Sequence, residues 1–493
     1  MTERLAGRFG GVLRDTAVTM VGEAFVLVGG LLLYALFARF FGPVGVGEVA
    51  LVKRGSGLLQ PIVFLGIQTG FPRGIAIAQG DPRRAGATTA AGLLVLAAAT
   101  GVASVALLGA PRAAAGFLLG DSRFSFLVPA LVMTLVSIIV YGAVRGILFG
   151  MLRIPLANLI QIVAVGIVPV AIVAVVHPNV STALVIAALG TTAVAAIALL
   201  ALIARPMRQL DVRSLRGAVS DLVRYSVPRM PGDVMMAALL SVGVLWAARV
   251  VDVRTAGYLS VSMSLLSAVT AAFVPLSVVL LPRASALIAS GRIDVIRPRI
   301  TELLQLTVLG SVFVAAQAMI FADTILRWWL GPAFVEGAPA LRAVLVGVPF
   351  LALFFSLRGL IDAAAVRPYH TYNLGAALAL TLAGYVVVSL ALPPRALTVG
   401  IALCGSAGFA LLAVLTLRVL TRLYAVGLRL SDFARVLLVN LAGVLAALAL
   451  HALTSGASIP GLAVIILFEL VAGATILGPF LSAAMVRQLR TVS

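Results

Sequence analysis

The chain has 493 residues, 62% hydrophobic and 11% charged, with a mean hydropathy of +1.16. That balance excludes a soluble globular chain, and soluble domains have no room between the apolar runs. The net charge of +19 would suit nucleic acid, but the arginines punctuate the apolar runs instead of forming one patch, so no nucleic-acid partner is expected.

Each apolar run is long enough to cross a hydrocarbon core of ~30 Å at ~1.5 Å per residue, and strand-like alternation is absent. The pattern predicts an all-α polytopic membrane protein. Helices are expected over 17–40, 47–71, 87–110, 125–150, 154–177, 180–204, 227–250, 255–281, 301–322, 338–362, 370–392, 396–417, 432–454 and 459–486. No small-residue cleavage signature precedes the first run, which reads as a retained helix.

The stretch 38–74 organises the rest. A helix ends at Arg39, turns through Gly42-Pro43-Val44-Gly45-Val46-Gly47, and a second apolar run carries Lys53 and Arg54 on its way to Pro72-Arg73. Arg249, Gly257 and Pro282-Arg283 stand 210 positions after Arg39, Gly47 and Pro72-Arg73. Glu23 matches Asp233, and Pro129-Ala130-Leu131 matches Pro339-Ala340-Leu341, at the same offset. A shift to 213 then aligns Arg145-Gly146 with Arg358-Gly359. Six helices per repeat is an even number, so two parallel repeats are expected, followed by two C-terminal helices. The divisions are 1–204 (N-lobe), 205–226 (cytoplasmic link), 227–417 (C-lobe) and 418–493.

With the N-terminus inside, 26 of the 36 basic residues fall on the cytoplasmic side and 8 outside, Lys53 and Arg54 being the remainder. Such a bias in short loops predicts both termini in the cytoplasm. The basic link 205–226 reads either as a solvated connector or as a segment lying on the anionic inner leaflet.

Ionisable groups at membrane depth need a partner or a function. Asp233 has Arg229, Asp362 has Arg358 and Asp323 has Arg327 one turn away, which is the expected structural pairing. Glu23, Lys53, Arg54 and Glu469 have no such partner. Lys53 and Arg54 can snorkel to the outer interface. Against that, Lys53, Gly57, Gln60, Phe64, Gln68 and Phe71 share one face at 100° per residue, and Pro61 adds a kink. Lys53, Arg54, Gln60, Gln68 and Glu23 are therefore the candidate substrate-binding residues. Arg39, Asp233, Asn158, Gln161, Ser264, Ser267 and Asn373 are candidates for lining a cavity, although residues such as Asn158, Gln161 and Asn373 more often make interhelical hydrogen bonds in a bundle.

No catalytic residue, metal or cofactor is expected. The one cysteine, Cys404, lies in an apolar run, the three histidines are scattered, and no phosphate-cradling GxxxxGK[ST] loop is present.

The turn ARFFGPVGVGE (38–48), its echo ARVVDVRTAGY (248–258) and the six-plus-six-plus-two pattern resemble the O-antigen type polysaccharide-repeat-unit flippases. That superfamily also holds the multidrug and toxin extrusion exporters and the lipid II flippase. The resemblance implies two six-helix bundles in the cell membrane that alternate between inward-open and outward-open shapes. Its substrate would be a polyprenyl-diphosphate-linked oligosaccharide, with the diphosphate on Lys53 and Arg54. A monomer among membrane lipids is expected, with polysaccharide polymerase and glycosyltransferases as partners. Three rivals remain: a cation-coupled drug exporter using Glu23, a polymerase or scaffold of polysaccharide assembly, and a lipid II flippase.

Overall fold

The computed structural model describes residues 2–78, 80–208, 212–274, 277, 284, 288, 293–365, 367–427, 433–453, 464, 467 and 471. The candidate Glu469 and most of the segment 459–486 lie outside these residues. Among them every regular element is a helix, and nine helices are long and apolar enough to cross a membrane, or ten if one bent pair is a single span.

Two compact units are present, 1–260 and 261–493. The first begins with α1 (Thr2–Phe64), broken at Gly42, whose φ of 63° and ψ of −165° suit only glycine. The break is a reversal. Tyr34 and Lys53 would be ~28 Å apart on a straight helix, yet the lysine Nζ lies 4.6 Å from the tyrosine ring centroid. The expected turn 42–47 is thus a single residue, with helix resuming at Pro43.

The second limb of α1 runs with helical dihedrals through Pro61, so the helix continues past the proline. The chain breaks instead at Leu65 and Gly66, with φ of 50° and 72°, before α2 (Ile67–Ile77). A β-carbon on Gly66 would collide with the Ser226 carbonyl oxygen, so both its conformation and the packing demand glycine.

That break redirects the predicted polar stripe. Phe64 and Phe71 are buried with Ile67 and Ile75 against Leu135, Ile139 and Ile147 of α5 (Val128–Gly150), while Lys53 and Gln68 are exposed. In hydrocarbon such contacts hold helices by packing rather than by leaving water.

Next come α3 (Pro82–Gly109) and α4 (Pro111–Leu118). Asp81 caps α3 by accepting from the Arg83 and Arg84 amides at 3.0 and 3.1 Å. α6 (Ile154–Gln161), a π-helical stretch over 162–167 and α7 (Val168–Val175) form one span. α8 (Val180–Arg208) and α9 (Val212–Ser226) follow, so the link is largely helical. α9 is anchored, because its Leu222 joins the Phe64–Phe71 core. α10 (Met230–Val250) completes the first unit, and α11 (Val253–Ala271) continues beyond its boundary.

The second unit holds α12 (Ile293–Ile320), α13 (Ala322–Trp329), α14 (Ala338–Leu345), α15 (Val348–Ala364), α16 (Tyr369–Ala391), α17 (Pro394–Tyr424) and α18 (Ala434–Leu453). Leu353, Leu357, Leu360 and Leu420 form its core, where the Tyr424 hydroxyl donates to the Leu360 carbonyl at 2.7 Å. Both units share a local pattern. A long helix leads to a short one, then to a glycine with positive φ (Gly120 or Gly331), then to a 3₁₀ turn and a helix with proline near its start.

Candidate functional site: the cationic segment of α1

Lys53 and Arg54 are adjacent on a helix and therefore face ~100° apart. Their surroundings differ accordingly. Arg54 is only 9% exposed. Its Nε donates to Ser260 Oγ at 3.4 Å, its Nη2 to the Ser260 carbonyl at 3.2 Å and its Nη1 to the Leu240 carbonyl at 3.2 Å. Ser260 Oγ also shares a hydrogen bond with Tyr34 OH at 2.8 Å. This guanidinium therefore fastens the second limb of α1 to α10 and α11.

Lys53 is exposed. Its ammonium rests over the Tyr34 ring, and no carboxylate pairs with it among the described residues. The cation–π contact steadies the side chain without neutralising it.

Glycines let these helices meet. A β-carbon on Gly257 would lie 2.9 Å from both the Gly47 nitrogen and the Pro43 carbonyl oxygen, and one on Gly47 would strike the Val253 carbonyl. The two glycines that correspond in the 210-residue repeat are thus in mutual contact.

The second candidate group differs from the sequence expectation. Glu23 is not unpartnered: Arg145 Nη2 of α5 lies 3.3 Å from its Oε1. The partner comes from a different helix, which spacing along one helix cannot reveal. Asn158 is buried and its Nδ2 donates to Thr19 Oγ1 at 3.0 Å, one turn before Glu23, so it makes an interhelical hydrogen bond. Gln161 is buried one turn further along α6, and its Oε1 has no partner among the described residues.

Two other pairings change in the same way. Asp323 pairs with Arg342 rather than Arg327. Arg229 turns from Asp233 to Tyr225, stacking 3.9 Å from its ring centroid. Asp362 keeps Arg358 at 3.7 Å and gains His370 at 3.1 Å.

Gln60 is half-buried below Lys53, and Gln68 lies past the break on α2. Arg39 is exposed at the end of the first limb, and Asp233 is half-buried in the first turn of α10. Ser264, Ser267 and Asn373 fall in the second unit, where Ser267 Oγ donates to the Met263 carbonyl at 2.8 Å. The structure adds Tyr34, Ser260 and Arg145. Tyr34 carried a signal, since a reversal near 42 brings residues about ten before it beside residues about ten after.

The described residues hold no cluster of three metal-ligating side chains. The apolar spans define a multi-pass membrane protein. Residues 12–288, more than half the chain, match the polysaccharide biosynthesis protein family, and the chain belongs to that family.

The fold is similar to that of the lipid II flippase MurJ in its inward closed conformation. The TM-score is 0.71 at 12% identity, covering 92% of this chain and 98% of that one. It is also similar to an inward-facing multidrug resistance MATE family transporter of the MOP superfamily (0.66, 14% identity, 81% and 95% covered). A MOP superfamily transporter from Pyrococcus furiosus Vc1 shares it too (0.56, 14% identity, 84% and 96% covered). The likeness to all three is one of fold. No curated protein matches the sequence.

Proposed function

We propose that the protein carries an oligosaccharide linked to a polyprenyl diphosphate from the cytoplasmic to the outer leaflet of the cell membrane, with both termini in the cytoplasm. The observation that carries this reading is Lys53, a cation within an apolar span, exposed, held by Tyr34 and without a carboxylate partner among the described residues. Such a charge is costly unless it meets an anion. Membership of a polysaccharide biosynthesis family and a fold like that of a lipid II flippase support a lipid-linked sugar as the cargo. In the Pyrococcus furiosus transporter, a binding pocket of reverse polarity is taken to suggest a different function. The sign of the charge at Lys53 is the corresponding distinction here.

The mechanism follows from the division of labour between neighbours. Lys53 meets the diphosphate, while Arg54 fastens helices of the first half (1–204) to the start of the second (227–417). For the halves to part and face outward, the Arg54 bonds to Leu240 and Ser260 must break, which frees a second cation for the diphosphate. A membrane potential, negative inside, favours outward movement of an anion by ~2.3 kcal/mol per charge per 100 mV. The chain binds and moves its cargo without making or breaking covalent bonds. Glycosyltransferases and a polymerase would act before and after it.

The exporter reading relied on a free carboxylate at Glu23, and Arg145 now stands 3.3 Å from it. The test ranks the two. Lys53→Gln is expected to lower surface polysaccharide about tenfold or more by removing a charge-assisted contact, with the protein still inserted. Lys53→Arg is expected to retain part of the activity, and Glu23→Gln to matter less than Lys53→Gln. Normal polysaccharide from Lys53→Gln, together with loss from Glu23→Gln, would overturn the proposal in favour of an ion-coupled exporter.

A further inference from the structure

Arg73 and Arg229 both stack on Tyr225, with guanidinium carbons 4.4 and 3.9 Å from its ring centroid. Tyr225 ends α9, Arg229 immediately precedes α10, and Arg73 lies near the end of α2. Packing brings them together. Gly66, Gly70 and Arg73 fall on one face of α2, and a β-carbon on Gly70 would strike Ser226 Oγ and lie 3.2 Å from Tyr225 Cδ1. The absence of side chains at both glycines lets α2 approach until Arg73 reaches the ring.

A cation–π contact is made with the ring and uses none of a guanidinium's N–H groups as hydrogen bonds to an acceptor. Arg229 uses one of these, donating Nη1 to the Tyr225 carbonyl. Arg73 donates to no acceptor among the described residues, and no carboxylate pairs with either arginine there. Two like charges thus lie at most 8.3 Å apart, on ring distances of 4.4 and 3.9 Å, and both side chains are exposed. That span suits one diphosphate, since each phosphate can take a guanidinium fork.

We propose that Arg73, Tyr225 and Arg229 form a docking site for the diphosphate headgroup of a lipid in the cytoplasmic leaflet, occupied before the headgroup reaches Lys53. This rests on the flippase reading and on the proposed orientation. It adds a second anion site, at the membrane surface, and gives the α2–α9–α10 junction a role in capture. Tyr225 keeps the two cations close together, and two guanidiniums offer a counter-charge to each phosphate of a diphosphate, where the single phosphodiester of an ordinary anionic phospholipid occupies one.

The test uses the full chain in phosphatidylcholine nanodiscs with farnesyl diphosphate as the probe. A Lys53→Gln background removes the proposed inner site. In that background the probe should still bind. Adding Arg73→Gln and Arg229→Gln should weaken it roughly a hundredfold, about tenfold per arginine. Arg73→Lys with Arg229→Lys keeps the charge and serves if the glutamine pair fails to fold. It should weaken binding about tenfold, because the forks are lost. Tyr225→Leu should also weaken binding, by loosening the spacing, and phosphatidylglycerol should compete poorly. No binding in the Lys53→Gln background, or binding indifferent to the arginine and tyrosine changes, would overturn the site and leave the Lys53 proposal standing. Equal displacement by phosphatidylglycerol would overturn the assignment to a diphosphate. The reverse case, binding intact here while Lys53→Gln exports polysaccharide normally, would sink the Lys53 role alone.

Discussion

Adjacent side chains on one helix turn take different surroundings, and at Lys53 and Arg54 this separates an exposed cation, proposed to meet the cargo, from a buried one hydrogen-bonded to neighbouring helices. Arg54 donates to Ser260 Oγ and to the main-chain carbonyls of Leu240 and Ser260. Hydrogen bonds to a charged donor contribute ~1.5–3 kcal/mol each, and truncation leaves the carbonyls bare. In a Cys404→Ala background, a cysteine at Leu240 keeps the carbonyl that Arg54 grips. Arg54→Gln should then raise its reaction with an impermeant thiol reagent about tenfold or more, if loss of one such bond opens the junction. An unchanged labelling rate would remove the latch from the mechanism. Tyr34 has two roles that separate cleanly. Tyr34→Phe keeps the ring under Lys53 and loses the bond to Ser260, whereas Tyr34→Leu loses both. Export should therefore fall further in the leucine variant, the difference reflecting a cation–π contact of ~0.5–2 kcal/mol. Equal activity of the two variants would argue that the ring does nothing for Lys53.

At the scale of elements, two breaks shape α1 and α2, and their glycines are required for different reasons. Gly42 has nothing within 4 Å of the place a β-carbon would occupy, so Gly42→Ala meets backbone strain alone, on the order of 1–3 kcal/mol. Gly66 carries positive φ and also abuts the Ser226 carbonyl. Gly66→Ala should therefore lower the thermal midpoint in detergent well beyond Gly42→Ala. The reverse order would mean that the α2–α9 contact is not where the structure places it. This pair also marks where sequence reading succeeds and fails. Gly42-Pro43 announced a turn, because proline suits the first position of a new helix. Gly66 sat inside an unbroken apolar run, and besides its positive φ the reason for glycine there is a carbonyl on α9, 160 residues away. Pro61, the louder signal, leaves the helix unbroken. The pairings misread from spacing share that cause: Arg145 reaches Glu23 and Arg342 reaches Asp323 from other helices. A rule that looks four residues along one helix cannot see them.

For the whole molecule, the all-helical, multi-pass character was legible because lipid forces every main-chain group into a helix, whatever the packing; of the fourteen spans expected, nine or ten are long and apolar enough among the described residues. The 210-residue echo pointed to Gly47 and Gly257 as equivalents, and Gly120 and Gly331, which stand 211 positions apart, lie in the same local order of elements. That the two glycines touch was beyond the sequence, since equivalence says nothing about contact. Orientation is the expectation on which outward transport and inner-leaflet docking both depend, and charge counting supports it through the weight of arginine on one side. It can be tested with single cysteines in the Cys404→Ala background. Ser122 opens the 3₁₀ turn after α4, and Ser181 lies at the start of α8, so both sit at the ends of spans on one side. Ser214 is exposed on α9, which begins between two spans on the other side. Impermeant maleimide added to intact cells should label cysteines at 122 and 181 and spare 214, which should react once the membrane is permeabilised. Labelling at 214 in intact cells would invert the molecule. The Arg73–Tyr225–Arg229 stack would then face outward, where it could release a headgroup but not capture one from the cytoplasm, and the proposed direction of transport would fall with it.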